Sequence, residues 1–170
     1  MPFGKGKKWA TGSAGSAILG GWQVSGLLTM YTGGPFSVTA PGRSLNAPAN
    51  GQTADQIKPE VEIIGSRTQW FDTSAYRAVT EARFGTSGWD QLRGPGLINL
   101  DLSVSRAFQL TERIGLQLRG EAFNVSNTPH FANPQSDVSS SQFGMSTGIR
   151  NVGREGLDER LFRLSLRLSF

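Results

Sequence analysis

The sequence contains no cysteine, which excludes a disulfide framework, a thiolate metal site and a cysteine nucleophile. It has a single histidine, His130, so neither a histidine-rich metal site nor a paired-histidine acid–base device is available. No apolar run approaches the ~20 residues that a membrane helix needs. Near the basic start of the chain the only apolar stretch is Ala17-Ile18-Leu19, too short for a secretory h-region. None of this speaks against a membrane barrel, whose strands carry a weaker, alternating signal. Charged residues make up 18% of the chain, below the roughly 25% usual for soluble domains. Runs of Ala, Leu, Glu and Lys are scarce while glycines number 22, a mix that favours strands and turns over helices. The net charge of +4 raises nucleic acid as a partner, but the arginines are spread singly along strands. Neither a basic helix nor an RNA-binding aromatic signature accompanies them, so no nucleic-acid partner is expected. At 170 residues the natural count is one domain.

What is present is alternation. Trp22, Val24, Gly26, Leu28 and Met30 share one parity, opposite Gln23, Ser25 and Thr29, with Leu27 breaking the polar side. Ile98, Leu100, Leu102, Val104, Phe108 and Leu110 oppose Asn99, Asp101, Ser103 and Ser105. Ile114, Leu116, Leu118, Gly120 and Ala122 oppose Gln117, Arg119 and Glu121. The chain ends RLFRLSLRLSF, with Phe162, Leu164, Leu166, Leu168 and Phe170 on one face and Arg163, Ser165, Arg167 and Ser169 on the other. Side chains alternate faces along a strand, and each segment has roughly the 9–11 residues with which a tilted strand crosses a bilayer. Strands are expected at about 19–38, 97–110, 114–125 and 160–170, the first continuing through Gly33-Gly34-Pro35 to Val38.

Between the second and third strands lies only Thr111-Glu112-Arg113. Because both apolar faces fall on even numbers, facing residues must have an even sum. A loop that pairs Leu110 with Ile114 meets this condition, setting Ser105 beside Arg119 and Ser103 beside Glu121. Residues 41–96 and 126–159 are instead long connections rich in Gly, Pro, Asn, Asp and Ser. Short turns at one end and long loops at the other are normal for outer-membrane barrels. With the short turn on the periplasmic side, Trp22, Phe108 and Phe170 fall at one membrane level, and Phe36 and Phe162 at the other. Two such rows make an interfacial girdle. The fold class expected is therefore all-β, an antiparallel transmembrane β-barrel fragment of about four long strands, in contact with outer-membrane lipid. Four strands do not close a barrel, for which about eight is the small end, and an open edge in lipid leaves backbone groups unpaired. The chain is thus expected to be part of a larger protein. The alternative is a soluble or surface-exposed β-sandwich that binds a partner through residues 41–96.

A family resemblance rests on PFGKGKKW (2–9), ILGGWQVSGLLTMYTGGPFSVT (18–39), WFDTSAY (70–76), LRGPGLINLDLSVSRAFQLTERIGLQLRGEAFNVSNTPHF (92–131), FG at 143–144 and the terminal alternating strand. In order and spacing these resemble the C-terminal part of TonB-dependent outer-membrane receptors of the Oar-like type. The resemblance implies a 22-stranded barrel filled by an N-terminal plug, taking up large ligands with energy delivered by TonB. Plug, TonB box, regulatory domain and signal peptide would lie upstream, so TonB and the remainder of the barrel are partners only through the full-length protein. In this reading PFGKGKKW is a periplasmic turn. Phe162, Leu164, Leu166, Leu168 and Phe170 match the C-terminal signal read by the barrel-assembly machinery. The localisation implied is the outer membrane of a Gram-negative bacterium.

Candidate sites beyond the strands are few. No nucleophile–base constellation is present, so no enzymatic activity and no cofactor are expected. His130 lies in NTPHF and is expected to be a solvated loop residue. Asp55, Asp72 and Asp90 match no compact calcium-loop spacing. GSAGSAILGG lacks the GxxxxGK[ST] phosphate cradle and reads as a flexible turn, and Asn124-Val125-Ser126 is only formally a glycosylation sequon. Asp101, Arg119, Glu121, Arg163 and Arg167 form an expected lumen-facing polar wall, either a ladder of stabilising cross-strand pairs or a surface for plug or solute. Arg106 shares the apolar parity near the periplasmic end, where it can snorkel to headgroups. Trp70, Phe71 and Tyr76 in the long loop either stack on a carbohydrate or peptide ligand or pin the loop to the barrel rim.

Overall fold

The computed structural model describes residues 20–47, 49–150 and 159–170. PFGKGKKW and nearly all of GSAGSAILGG lie outside the described residues, as do residues 151–158 of the second long connection. The strands are β1 (Trp22–Tyr31), β2 (Pro35–Phe36), β3 (Thr39–Pro41), β4 (Gly51–Thr53) and β5 (Asp55–Gln56), followed by β6 (Tyr76–Arg77), β7 (Leu92–Arg93), β8 (Leu97–Gln109), β9 (Gly115–Phe123) and β10 (Leu161–Ser169). Two short 3-10 turns, Gly42–Leu45 and Thr73–Ala75, complete the regular structure among the described residues. The chain divides into two compact units: one takes Met1–Thr29, Ile98–Thr128 and Gly153–Phe170, the other Met30–Leu97 and Pro129–Val152.

The first unit is a four-stranded sheet in the order β1-β8-β9-β10. β8 and β9 pair antiparallel with Ser105 opposite Arg119 and Ser103 opposite Glu121, the register expected from the parity of the two apolar faces. At the turn the Leu110 amide donates to the Ile114 carbonyl at 2.9 Å. The Thr111 hydroxyl accepts from the amides of Arg113 and Ile114, a local side-chain turn that ends one strand and starts the next. β10 lies antiparallel along β9 with Leu166 opposite Leu118 and Arg163 opposite Glu121. The even-numbered side chains therefore share one face across three strands, and the odd-numbered ones share the other.

At the start of β8 burial is inverted relative to a water-soluble protein, and β10 leaves both its faces exposed. Ile98 is 56% exposed, Leu164 77% and Leu166 68%, whereas Asn99 is fully buried and Asp101 is 7% exposed. A soluble sandwich buries the apolar side of each sheet, and this sheet leaves it bare. The terminal apolar row, Phe162 to Phe170, spans eight residue steps, about 27 Å along a strand and about 21 Å in height at the usual barrel tilt, close to the ~25 Å apolar band of outer-membrane barrels.

The second unit is a small folded module where the sequence suggested open loop. Three two-stranded ladders, β2 with β7, β3 with β4 and β5 with β6, surround a core of Phe36, Val38, Ala40, Ala54, Phe71, Ala75, Tyr76 and Leu92. Phe71 is fully buried, its ring centroid 5.8 Å from Phe36, 5.9 Å from Tyr76 and 5.4 Å from Phe143, the last two edge-to-face. Edge-to-face pairs add about 0.5–1.5 kcal/mol each beyond their buried area, which suits a module of short strands. The first strand is shorter than expected, ending at Tyr31 instead of running to residue 38. At Gly33 an added Cβ would collide with the backbone of Gly94, so the chain turns at Gly33-Gly34 through a crossing too close for any side chain. Phe36 is consequently 8% exposed in the module core, and its expected place in a lipid-facing girdle is corrected: alternation alone does not distinguish a lipid face from a core face.

Candidate functional site

The odd-numbered face of the sheet carries the polar wall. Its rows run Ser103–Glu121–Arg163, Ser105–Arg119–Ser165 and Ala107–Gln117–Arg167 across β8, β9 and β10. Arg119 and Glu121, two apart on one strand and hence on the same face, form an ion pair at 2.8 Å. Arg163 lies opposite Glu121 in register, and its guanidinium carbon stands 5.5 Å from the Phe123 ring centre. Asp101 is placed differently. It accepts from the Asn99 side-chain amide at 2.8 Å and from the Asn124 backbone amide at 3.0 Å, so it fixes the end of β9 beyond the ladder. Asn124 takes a left-handed conformation (φ 46°) and is buried, its side chain donating to the Thr128 carbonyl and accepting from the Thr128 amide. The sequon asparagine is thus a turn residue with no exposed amide.

Between Ser25, Asp101, Ser103, Arg119, Glu121 and Phe123 the wall has an open depression of about 240 Å³. That is smaller than the ~300–1,000 Å³ of ligand pockets, which are also more enclosed. The wall therefore has the geometry of paired cross-strand side chains, with no enclosed pocket in the depression.

The even-numbered face carries Val104, Leu118, Leu164, Leu166 and Leu168, bounded by rings. Among them Arg106 sits opposite Leu118. Its guanidinium carbon lies 4.4 Å from the Phe108 ring centre and 5.7 Å from that of Trp22. Cation–π attraction of this kind is worth about 0.5–2 kcal/mol and holds the one cation of this row against aromatic surface. At the other end of the face Arg160 stands 5.7 Å from the Phe162 ring centre. The Trp22–Arg106–Phe108 cluster is legible in hindsight: Arg106 and Phe108 are two apart in one strand.

The loop candidates are reassigned. Phe71 and Tyr76 are buried, 0% and 6% exposed, their ring surfaces engaged with one another and with Phe36 and Phe143. Neither has a face for a ligand, and the stacking alternative is withdrawn for both. Trp70 is partly buried against the same core, with its Nε1 donating to the Arg93 carbonyl at 2.8 Å. All three hold the module together. His130 is 1% exposed, so the expectation of a solvated loop histidine is corrected: the chain around it pairs back, with the Arg150 amide donating to the His130 carbonyl.

Asp55, Asp72 and Asp90 do not converge. Asp55 is buried and receives Arg83 on both oxygens, at 2.7 and 2.9 Å, with Arg77 at 3.7 Å. The Arg83 hydrogen bonds hold its carboxyl below the usual carboxylate range, against the upward pull of burial. Asp72 pairs with Lys58 at 2.6 Å and accepts from the Ser74 amide; these contacts, Lys58 first, lower its carboxyl too. Asp90 donates its amide to the Ser37 hydroxyl at 2.7 Å. Each is committed to a separate structural contact.

Residues 1–156 match the family model of the outer membrane beta barrel domain. The chain belongs to the outer membrane beta barrel domain family. No curated protein and no solved structure matches the chain. Family membership places the protein in the outer membrane and explains the exposed apolar row of the sheet. The bare even-numbered face suits the lipid contact of an outer-membrane barrel segment. β10 follows the matched residues and is joined to them by its full-length pairing with β9.

Proposed function

We propose that this barrel segment belongs to a TonB-dependent receptor of the Oar-like type, and that it takes part in uptake of a large ligand across the outer membrane as part of the full-length protein. The observation that carries the reading is the ordered set of sequence stretches that resemble such receptors, from ILGGWQVSGLLTMYTGGPFSVT through the terminal strand. It is supported by the compact module that the β1–β8 and β9–β10 connections build together, since barrels carry long loops on the extracellular side and loops are where binding residues concentrate. The aromatic residues that serve ligand contact in this module are then exposed ones, Phe84 and Trp89, each 72% exposed, in place of the buried Phe71 and Tyr76. The barrel-assembly machinery is the proposed reader of Phe162, Leu164, Leu166, Leu168 and Phe170.

The test is binding of the purified periplasmic domain of TonB to the full-length protein in detergent or nanodiscs. Saturable binding that is lost when the plug's N-terminal segment is removed supports the reading. A correctly folded barrel that does not bind TonB refutes the transport assignment and leaves the barrel itself standing.

A further inference from the structure

We propose that Asn50 is a spontaneous modification site of the module: its side chain cyclises onto the Gly51 nitrogen, and hydrolysis leaves aspartate or isoaspartate at this position. Of the asparagines in the chain, Asn50 alone precedes a glycine, and both residues are exposed. Glycine leaves the attacking nitrogen unshielded, and a Cβ built at Gly51 would meet nothing within 4 Å.

The β3–β4 hairpin leaves that nitrogen free to react. The Ala54 amide donates to the Val38 carbonyl at 3.1 Å, and the Gly42 amide to the Asn50 carbonyl at 2.7 Å. These bonds fix the alternation of the ladder, so Pro41 and Gly51, which face one another, form a non-hydrogen-bonded pair. In a trans peptide the N–H points opposite to the C=O. With the Asn50 carbonyl turned to Gly42, the Gly51 N–H points away from β3, and among the described residues β4 has no second neighbouring strand. The nucleophile is therefore open to water and held by no ladder bond.

Water is the one co-reactant. The Gly51 nitrogen attacks Cγ of Asn50; the N–Cγ bond forms, the Cγ–Nδ2 bond breaks, and the Gly51 proton leaves with Nδ2 as ammonia. Water then opens the cyclic imide. Addition at Cγ gives aspartate, and addition at the backbone carbonyl carbon gives isoaspartate. Either product adds a negative charge to the turn. Isoaspartate also reroutes the main chain through Cβ and Cγ, and the carbonyl that Gly42 holds becomes a free carboxylate. That carbonyl packs so closely that a Cβ on Gly42 would stand 2.6 Å from its oxygen. The turn has no room for the longer path, and the isoaspartate form is expected to open the hairpin.

The experiment is peptide mapping, by liquid chromatography and mass spectrometry, of the full-length protein folded in detergent and held in mildly alkaline buffer. The peptide carrying Asn50 is expected to convert to two products that elute apart, both heavier by the exchange of an amide for a hydroxyl, while Asn127 stays intact. The folded rate is expected to lie within about tenfold of the rate in urea-unfolded protein, because no structure has to open before attack. Gly51→Ala, which the open space accommodates, is expected to slow conversion several-fold. A folded rate far below the unfolded one overturns the proposal. So does conversion to aspartate alone, which bypasses the cyclic imide, or a rate indifferent to Gly51→Ala. Should that variant fail to form a heat-modifiable barrel, the folded and unfolded rates of the wild type decide.

Discussion

The amide of Leu110 donates to the carbonyl of Ile114 at 2.9 Å, and this one contact fixes which side chains of β8 and β9 share a face. Every facing pair in the hairpin follows from it, including Ser105 with Arg119. Because the protein has no cysteine, the register can be tested cleanly by cross-linking. Ser105→Cys with Arg119→Cys is expected to form a disulfide under mild oxidation, since facing Cα atoms lie about 4.5–5.5 Å apart. Ser105→Cys with Glu121→Cys, on the same face but one pair out of register at about 7–8 Å, is expected to stay reduced. The reverse pattern would show a shifted hairpin.

Leu164 and Ser165 are chain neighbours on opposite faces of β10. An arginine in place of Leu164 faces lipid near mid-height and should destabilise the folded barrel by about 2–4 kcal/mol. An arginine in place of Ser165 enters the polar wall beside Arg119 and should cost well under half of that, the scale of an exposed like-charge pair. Urea titration of the full-length protein in lipid vesicles, read by heat-modifiable gel mobility, separates the two. Equal costs would count against the assignment of faces.

Asp55 anchors the 76–87 segment to β5 through Arg83. Its carboxyl is depressed in the folded state, so its contribution to stability is complete above the unfolded value of about 3.9. It declines as pH falls below that value and is gone once pH passes below the folded one. Asp55→Asn should lose about 2 kcal/mol at neutral pH by weakening a charge-assisted, bidentate contact. It should also flatten the acid-induced loss of module stability, measured as protease resistance of residues 41–96 against pH. An unchanged acid profile in Asp55→Asn would place the acid sensitivity elsewhere.

Phe170 is 99% exposed and follows the last residue of β10, so it adds little to packing within the sheet. Deleting it from the full-length protein should lower the amount of barrel in outer-membrane fractions while leaving the thermal stability of inserted protein nearly unchanged. Normal insertion after the deletion would refute its role as an assembly signal.

The lipid-spanning part of the fold was legible because period-two alternation and a three-residue turn leave little freedom: Ser105–Arg119 and Ser103–Glu121 follow from parity together with a turn that pairs Leu110 with Ile114. The module was not legible for a matching reason. Phe36, Val38 and Phe71 bury against residues far away in sequence, and short ladders such as Pro35–Phe36 with Leu92–Arg93 are too brief to leave a periodic signal. Aromatic content flagged Trp70, Phe71 and Tyr76, but composition does not say whether a ring faces a ligand or a core. Asp101 shows the same limit on the polar face. It has the parity of the wall, yet its partners are Asn99 and the Asn124 amide, set by a left-handed turn that no local pattern announces.

The lipid-face assignment is tested most directly by spin-labelling single cysteines at each position from 162 to 168 of the full-length protein in bilayers and measuring accessibility to oxygen and to a water-soluble nickel chelate. Positions 162, 164, 166 and 168 are expected to be open to oxygen and shielded from the chelate, with 163, 165 and 167 showing the opposite. A profile without this two-residue alternation, or with its phase inverted, would contradict the assignment of the bare apolar face to lipid.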